Sequence, residues 1–273
     1  MCAPIVMEVV RRQISRRGFF GTVGAGAVAA QSAGAQPRAV RMPKGFTSVV
    51  DLTHPLSPSL PVFPSYTPIR IRQRFSIARD GFNASEVTFD EHTGTHVDAP
   101  SHFTAGGPSV DQLQIDRLIA PFVVVSIAAR AAKDPDTLVT VDDLAQWEKR
   151  HGRIPPGAFV AMDAGWDARA SSADRFLNRD AKGTMHAPGF GEEAARFLVQ
   201  QRDICGAGVD TLSLDAGSAQ TFAAHVVLLG AGKYGVELLA NLSRVPPSGA
   251  TLIVGAPKHV GGTGGPARVL ALV

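Results

Sequence analysis

Between Asp90 and His102 the chain reads Asp-Glu-His-Thr-Gly-Thr-His-Val-Asp-Ala-Pro-Ser-His, which sets His92, His96, Asp98 and His102 within eleven positions. Upstream, Val87 and Phe89 alternate with Glu86, Thr88 and Asp90, a period of two. If that extended backbone continues, His92, Gly94, His96 and Asp98 fall on one face, with Gly94 leaving room between them for an ion. A helix would also put His92 and His96 on one face. Gly94, the β-branched Thr93, Thr95 and Val97, and the nearby Pro100 all oppose it. Either geometry gathers two imidazoles and a carboxylate, a set that suits Zn²⁺ or Mn²⁺. A single histidine here would read as a hydrogen-bonded structural residue; the cluster reads as a ligand set.

The chemistry follows from such a set. A divalent ion lowers the pKa of its water from near 16 to about 7, which provides a nucleophile for an amide or ester carbonyl at neutral pH. Cleaving an amide also requires a proton for the departing nitrogen. His102, an imidazole beside the cluster that titrates near neutrality, is the candidate to take and return that proton.

These side chains must be held by the rest of the chain. Its 273 residues, 45% apolar and 19% charged, are enough for one large domain with a substantial core. The composition excludes a disordered, collagenous or disulfide-framework protein, and no uncharged apolar run reaches the roughly 20 residues of a membrane span. Strand-like runs recur at 46–52, 69–75, 84–89, 122–127, 158–162, 208–214, 251–254 and 267–273. Helices are expected at 141–151, with Thr140 as N-cap, at 191–202 and at 218–229. The order is not a strict strand–helix alternation. It predicts a mixed α+β fold: one domain with a mixed central sheet and helices packed on it.

The net charge of +3 is local. Residues 1–35 carry Arg11, Arg12, Arg16 and Arg17 against Glu8 alone, an excess of three, so the remainder is neutral and gives no sign of nucleic-acid binding. Ser15-Arg16-Arg17-Gly18-Phe19-Phe20, a weakly apolar stretch to Ala30 and the A-x-A site Ala33-Gly34-Ala35 read as a twin-arginine export signal. The expectation is a signal peptide over 1–35, a mature domain over 36–273, a periplasmic location, and no membrane attachment once the signal is removed. Cys2 lies in the leader, so Cys205 is alone in the mature chain; its apolar neighbours read as core.

His92-Thr93-Gly94-Thr95-His96-Val97-Asp98-Ala99-Pro100-Ser101-His102 closely resembles the H-x-G-T-H-x-D-x-P-x-H motif of the bacterial kynurenine formamidase and cyclase family. That family includes isatin hydrolase-like amidases and metal-dependent lactone hydrolases. The resemblance extends over residues 46–273, through Asp51-Leu52-Thr53-His54-Pro55-Leu56, Phe63-Pro64, Gly208-Val209-Asp210-Thr211-Leu212-Ser213-Leu214-Asp215 and the tail Gly261-Gly262-Thr263-Gly264-Gly265-Pro266. It implies that His92, His96 and Asp98 bind metal and that His102 donates and accepts the proton. It also implies that a distant His and a Glu twelve residues later, matched by His225 and Glu237, complete a site for one or two ions. Phe63 would wall the substrate pocket, where the kynurenine formamidases carry Trp. The implied partner is a small amide, an aryl formamide or a cyclic amide, and the implied assembly a homodimer or larger homo-oligomer. Lactone hydrolysis, a cyclase-type condensation and a binding protein that does not turn over are the alternatives.

Other signals are weaker. Gly230-Ala231-Gly232-Lys233-Tyr234-Gly235 matches G-x-G-x-x-G, but no Asp or Glu follows Glu237 to hold a ribose, so a turn explains the glycines better. Ser213 and Ser218 lack a nucleophile-elbow context. The glycine tail reads as a close-packed turn. His186 reads as a loop residue, and His54 and His259 as supports.

Overall fold

The computed structural model describes residues 45–273; the expected leader, 1–35, lies outside the described residues. The strands are β1 (Val49–Asp51), β2 (Arg70–Phe75), β3 (Ala84–Thr88), β4 (His96–Asp98), β5 (Ile119–Ser126), β6 (Leu138–Val139) and β7 (Phe159–Asp163). They continue with β8 (Gly189–Phe190), β9 (Gly206–Val209), β10 (Tyr234–Glu237), β11 (Ala250–Gly255), β12 (Gly264–Pro266) and β13 (Arg268–Leu272). Nine of them form one sheet in the order β1-β13-β11-β5-β7-β9-β10-β4-β12. The central β5, β7, β9 and β10 run parallel to one another, and both flanks are antiparallel. The mixed α+β class expected from the sequence is the one observed.

Parallel strands need cover on both faces, and the sequence of β5 and β7 supplies it as unbroken apolar runs. Val123 and Val125 enter a core shared with Val160, Met162 and helix residues, whereas Phe122 and Val124 enter a second core with Phe159, Ala161 and Val236. The first core is roofed by α1 (Val141–His151), α2 (Glu192–Arg202) and α3 (Ala223–Gly230), through Leu144, Trp147, Leu198, Ala224 and Leu228. α1 spans the expected residues. Thr140 Oγ1 accepts from the Asp143 N–H while the Asp143 carboxylate accepts from the Thr140 N–H, a reciprocal cap.

α3 starts five residues later than the sequence suggests. Ser218 does not cap it, because its hydroxyl donates to Asp136. The Asp215 carboxylate instead accepts from the N–H groups of Ala224 and His225 at 2.7 and 3.1 Å. Phe222, immediately before the helix, is left-handed at φ 48°.

Residues 71–87 form a compact unit of their own. In it β2 and β3 pair, Arg72 and Arg74 reach Glu86, and the Phe75 and Phe82 rings stack at 4.9 Å. The other unit holds residues 45–70 and 88–273 and all the candidate site residues.

Candidate metal centre

β4 is only three residues long, yet it carries two of the candidate ligands. Because strand side chains alternate, His96 and Asp98 share a face and Val97 points into the core opposite. The neighbouring β10 runs antiparallel in a register that sets Glu237 opposite His96 and Gly235 opposite Asp98. On the other side β12 sets Gly264 opposite Asp98. A Cβ on Gly235 would lie 3.0 Å from Asp98 Oδ2, and one on Gly264 would lie 2.6 Å from His92 Cε1. Glycine on both flanks therefore makes the room that two ligands occupy.

His92 arrives differently from the extended run expected. The segment after β3 bends, Gly94 takes φ 65°, and regular strand resumes only at His96. Gly94 does not leave space for an ion either: a Cβ there would meet Leu56 Cδ2 at 2.4 Å, so the space belongs to the packed Leu56 side chain. The bend still brings His92 Nδ1 to 2.6 Å from Asp98 Oδ1.

His225 comes from α3 and Glu237 from the end of β10, the helix and strand being linked by a turn through Gly232 at φ 70°. That turn is the G-x-G-x-x-G segment. His225 Nε2 lies 3.1 Å from Glu237 Oε1 and 3.7 Å from Asp98 Oδ2; His96 Nε2 lies 3.4 Å from Glu237 Oε2 and 3.2 Å from Asp98 Oδ1. His92, His96 and Asp98 form one group able to hold a cation, and Asp98, His225 and Glu237 form a second, with Asp98 common to both. All five side chains are buried.

The donor set fits a divalent ion on the chemistry of its own atoms. Among the described residues His96 Nε2 and Asp98 Oδ2 are buried without a hydrogen-bond partner, although both face other members of the cluster. Leaving such atoms unmatched is costly unless something else satisfies them. The opposite ring nitrogens are engaged: His96 Nδ1 with the Gly94 carbonyl at 2.8 Å and His225 Nδ1 with the Asp215 carboxylate at 2.6 Å. These bonds leave each Nε2 turned inward, the usual arrangement of metal-binding imidazoles.

Electrostatics agree. Burial pulls the His96 pKa down, but Asp98 and then Glu237 overcome it and carry it up to about 9. Burial likewise opposes the charged form of His225, and Asp215, Asp98 and Glu237 raise it well above the ordinary value. Asp98, against the effect of burial, is held well below the usual carboxylate range by His96, His225 and His92. The carboxylates thus create a field that demands positive charge.

His102 follows β4 on a 3₁₀ turn, Pro100–His102, and its ring stacks on that of His92 at 3.8 Å. Burial, reinforced by His92, His225 and His96 against the pull of Asp98, pushes its pKa down to about 4. Among the described residues no partner takes either of its ring nitrogens.

The cluster opens into a cavity lined by Phe63, Tyr66, Phe103, Leu212, Phe222 and Leu238. Phe103 stacks on His225 at 4.6 Å and meets Phe222 at 5.8 Å, while Tyr66 lies parallel to His92 at 6.0 Å. The Tyr66 hydroxyl is kept protonated by burial and by the charges of Asp98 and Glu237. Of these walls the sequence pointed only to Phe63; Tyr66 and Phe103 lie in segments with no periodic or compositional signal, and Phe222 fell in the expected helix over 218–229 with nothing to mark it as a wall. Asp215, which orients His225, was visible as a motif residue without a role. Cys205 is buried beside Tyr234 with its thiol pushed up to about 11 by burial, consistent with a core residue. His186 pairs with Asp136, outside the cluster.

The profile of the family described as "Putative cyclase" matches residues 50–216. An isatin hydrolase from Roseibium aggregatum is 38% identical over 246 residues, which are 84% of this chain and 93% of that protein. A kynurenine formamidase from Bordetella petrii is 28% identical over 70% of this chain and 81% of its own length. Among solved structures, an isatin hydrolase bound to the product analogue thioisatinate superposes with a TM-score of 0.79 at 37% identity, covering 82% of this chain and 92% of that one.

Proposed function

The chain belongs to the cyclase family, and we propose that it is a metal-dependent hydrolase cleaving the C–N bond of a small amide, with a cyclic aryl amide of the isatin type as the substrate class. The observation that carries this reading is the buried meeting of His92, His96, Asp98, His225 and Glu237, with the orphaned His96 Nε2 and Asp98 Oδ2 facing into it, at the floor of an aromatic-walled cavity.

Those five side chains would hold the ion, and their mixed nitrogen and oxygen donors suit Zn²⁺ or Mn²⁺. When bound, the ion polarises a carbonyl oxygen and acidifies a water. The protein's own groups do the rest. Phe63, Tyr66, Phe103 and Phe222 receive a planar ring and exclude water from around it. The protonated Tyr66 hydroxyl offers a donor to a second substrate carbonyl. His102 is neutral at pH 7 with both nitrogens untaken, so it accepts a proton from water as the new C–O bond forms. It returns that proton to the nitrogen as the C–N bond breaks, so the sum is one water added across the amide.

The reading favours isatin-type over kynurenine-type substrates because similarity to the isatin hydrolase is higher and covers more of the chain. The twin-arginine reading of 1–35 supports export to the periplasm. Exposed Ile71, Ile77 and Val87 on the 71–87 hairpin support burial against a second copy, since a two-stranded sheet is marginal alone. The deciding experiment is turnover of isatin, an aryl formamide and an aryl lactone by protein reloaded with Zn²⁺ or Mn²⁺. Hydrolysis of isatin above the other two is expected. Ligand binding without turnover of any would identify a binding protein.

A further inference from the structure

His92 differs from the other two cluster histidines in one respect: a hydroxyl, rather than a main-chain carbonyl or a carboxylate, holds its outer nitrogen. His92 Nε2 lies 3.0 Å from Thr263 Oγ1. Thr263 Oγ1 in turn lies 2.6 Å from Glu91 Oε2, and Glu91 Oε1 lies 2.6 Å from His259 Nε2. A hydroxyl has one hydrogen, and a carboxylate only accepts. The Thr263 hydrogen is therefore given to Glu91, which leaves the threonine oxygen an acceptor towards His92. That oxygen holds a proton on His92 Nε2; Nδ1 lies 2.6 Å from Asp98 Oδ1, which also only accepts, so Nδ1 can offer its lone pair when a cation stands between the two.

From this geometry we propose that Thr263 and Glu91 are positioning residues that select the His92 tautomer, so that Nδ1 is the nitrogen presented to the metal centre. The proposal rests on the metal reading above.

The surrounding tail is built around this arrangement. Gly264 packs on the His92 ring so closely that a Cβ would lie 2.6 Å from Cε1, and a Cβ on Gly262 would lie 2.1 Å from His259 Nε2. The Gly-Gly-Thr-Gly-Gly segment thus lets the main chain clasp both imidazoles while its one hydroxyl reaches between them. Main-chain bonds hold Thr263 independently of that hydroxyl: its N–H donates to Glu91 Oε2 at 3.0 Å, and its carbonyl accepts from Ala99 N–H at 2.8 Å. Replacing the hydroxyl by a methyl removes the selection and leaves the clasp in place.

The test uses zinc, a diamagnetic probe, with the whole protein. Zinc affinity is measured by chelator competition for the parent, Thr263→Val, Thr263→Ser and Glu91→Gln, and the His92 tautomer is read on the zinc-loaded proteins from long-range proton–nitrogen-15 correlations. Thr263→Val and Glu91→Gln should weaken zinc binding by about 10- to 100-fold, the range for residues that orient a metal-binding histidine. Thr263→Ser should stay near the parent, and the parent spectrum should place the His92 proton on Nε2. A parent that takes up no zinc removes the metal reading and this proposal with it. A parent that binds zinc while Thr263→Val binds within twofold of it, or a parent proton on Nδ1, overturns this proposal alone. A serine variant as weak as the valine variant would also overturn it, because a packing defect and not the hydroxyl would then be responsible.

Discussion

His96 and His102 stand six residues apart in one pocket, and their surroundings drive them in opposite directions, to about 9 and about 4. The difference is local: His96 faces two carboxylates, whereas the His102 ring is stacked on another imidazole and, among the described residues, takes no hydrogen-bond partner. The first suits a ligand position and the second a proton carrier. His102→Ala should therefore lower kcat by about 10²- to 10⁴-fold while zinc content, measured on purified protein, stays that of the parent. Loss of zinc in that variant would make His102 a ligand instead. Asp215→Ala should act the other way, weakening zinc binding by about tenfold or more as His225 loses its orienting carboxylate. The histidines near position 95 were legible because their ligand atoms are supplied by neighbours in sequence. His225 and Glu237 were legible only through resemblance, since one looks like a core residue on an apolar helix and the other ends an apolar strand. Thr263 was not legible in its role at all, because it acts through another side chain from 171 residues away.

The strands and helices recognised in the sequence are those with strong periodicity or long apolar runs. α1 was found to the residue because its cap, acidic first turn and basic last turn are all local. Thr140→Ala should cost about 1 kcal/mol in urea unfolding, with activity retained. The site strands were harder to see. β4, β10 and β12 are three or four residues each, too short to show a period, and glycine-rich where they flank Asp98. Their pairing, not their propensity, makes them strands. The same glycines give an element-scale prediction. Gly235→Ala brings a methyl against Asp98 and Leu214, and it should reduce zinc retention on dialysis without unfolding the central β5-β7-β9 sheet, as judged by circular dichroism.

For the whole molecule, the cluster links charge to stability. Without metal, the protons on His96 and His225 offset the buried carboxylates. Both imidazoles are raised above their unfolded value of about 6.5, so this contribution is complete below that pH; the His96 part is lost as pH rises through about 9, and the His225 part as pH rises through its own raised value. Chelator-treated protein should show Tm falling between pH 6.5 and 9.5, and the fall should be much smaller with zinc present. Zinc at a thousandfold excess over its Kd adds about 4 kcal/mol. A flat Tm in the chelated protein would contradict the arrangement. Finally, β4 lies between strands drawn from residues 234–237 and 264–266, so the cage around Asp98 is assembled from segments far apart in the chain. Residues 92–98 alone supply only three of the five donors, so tight ion retention should appear only once the distant partners of β4 have docked, and a peptide of that segment should bind zinc far more weakly than the whole protein.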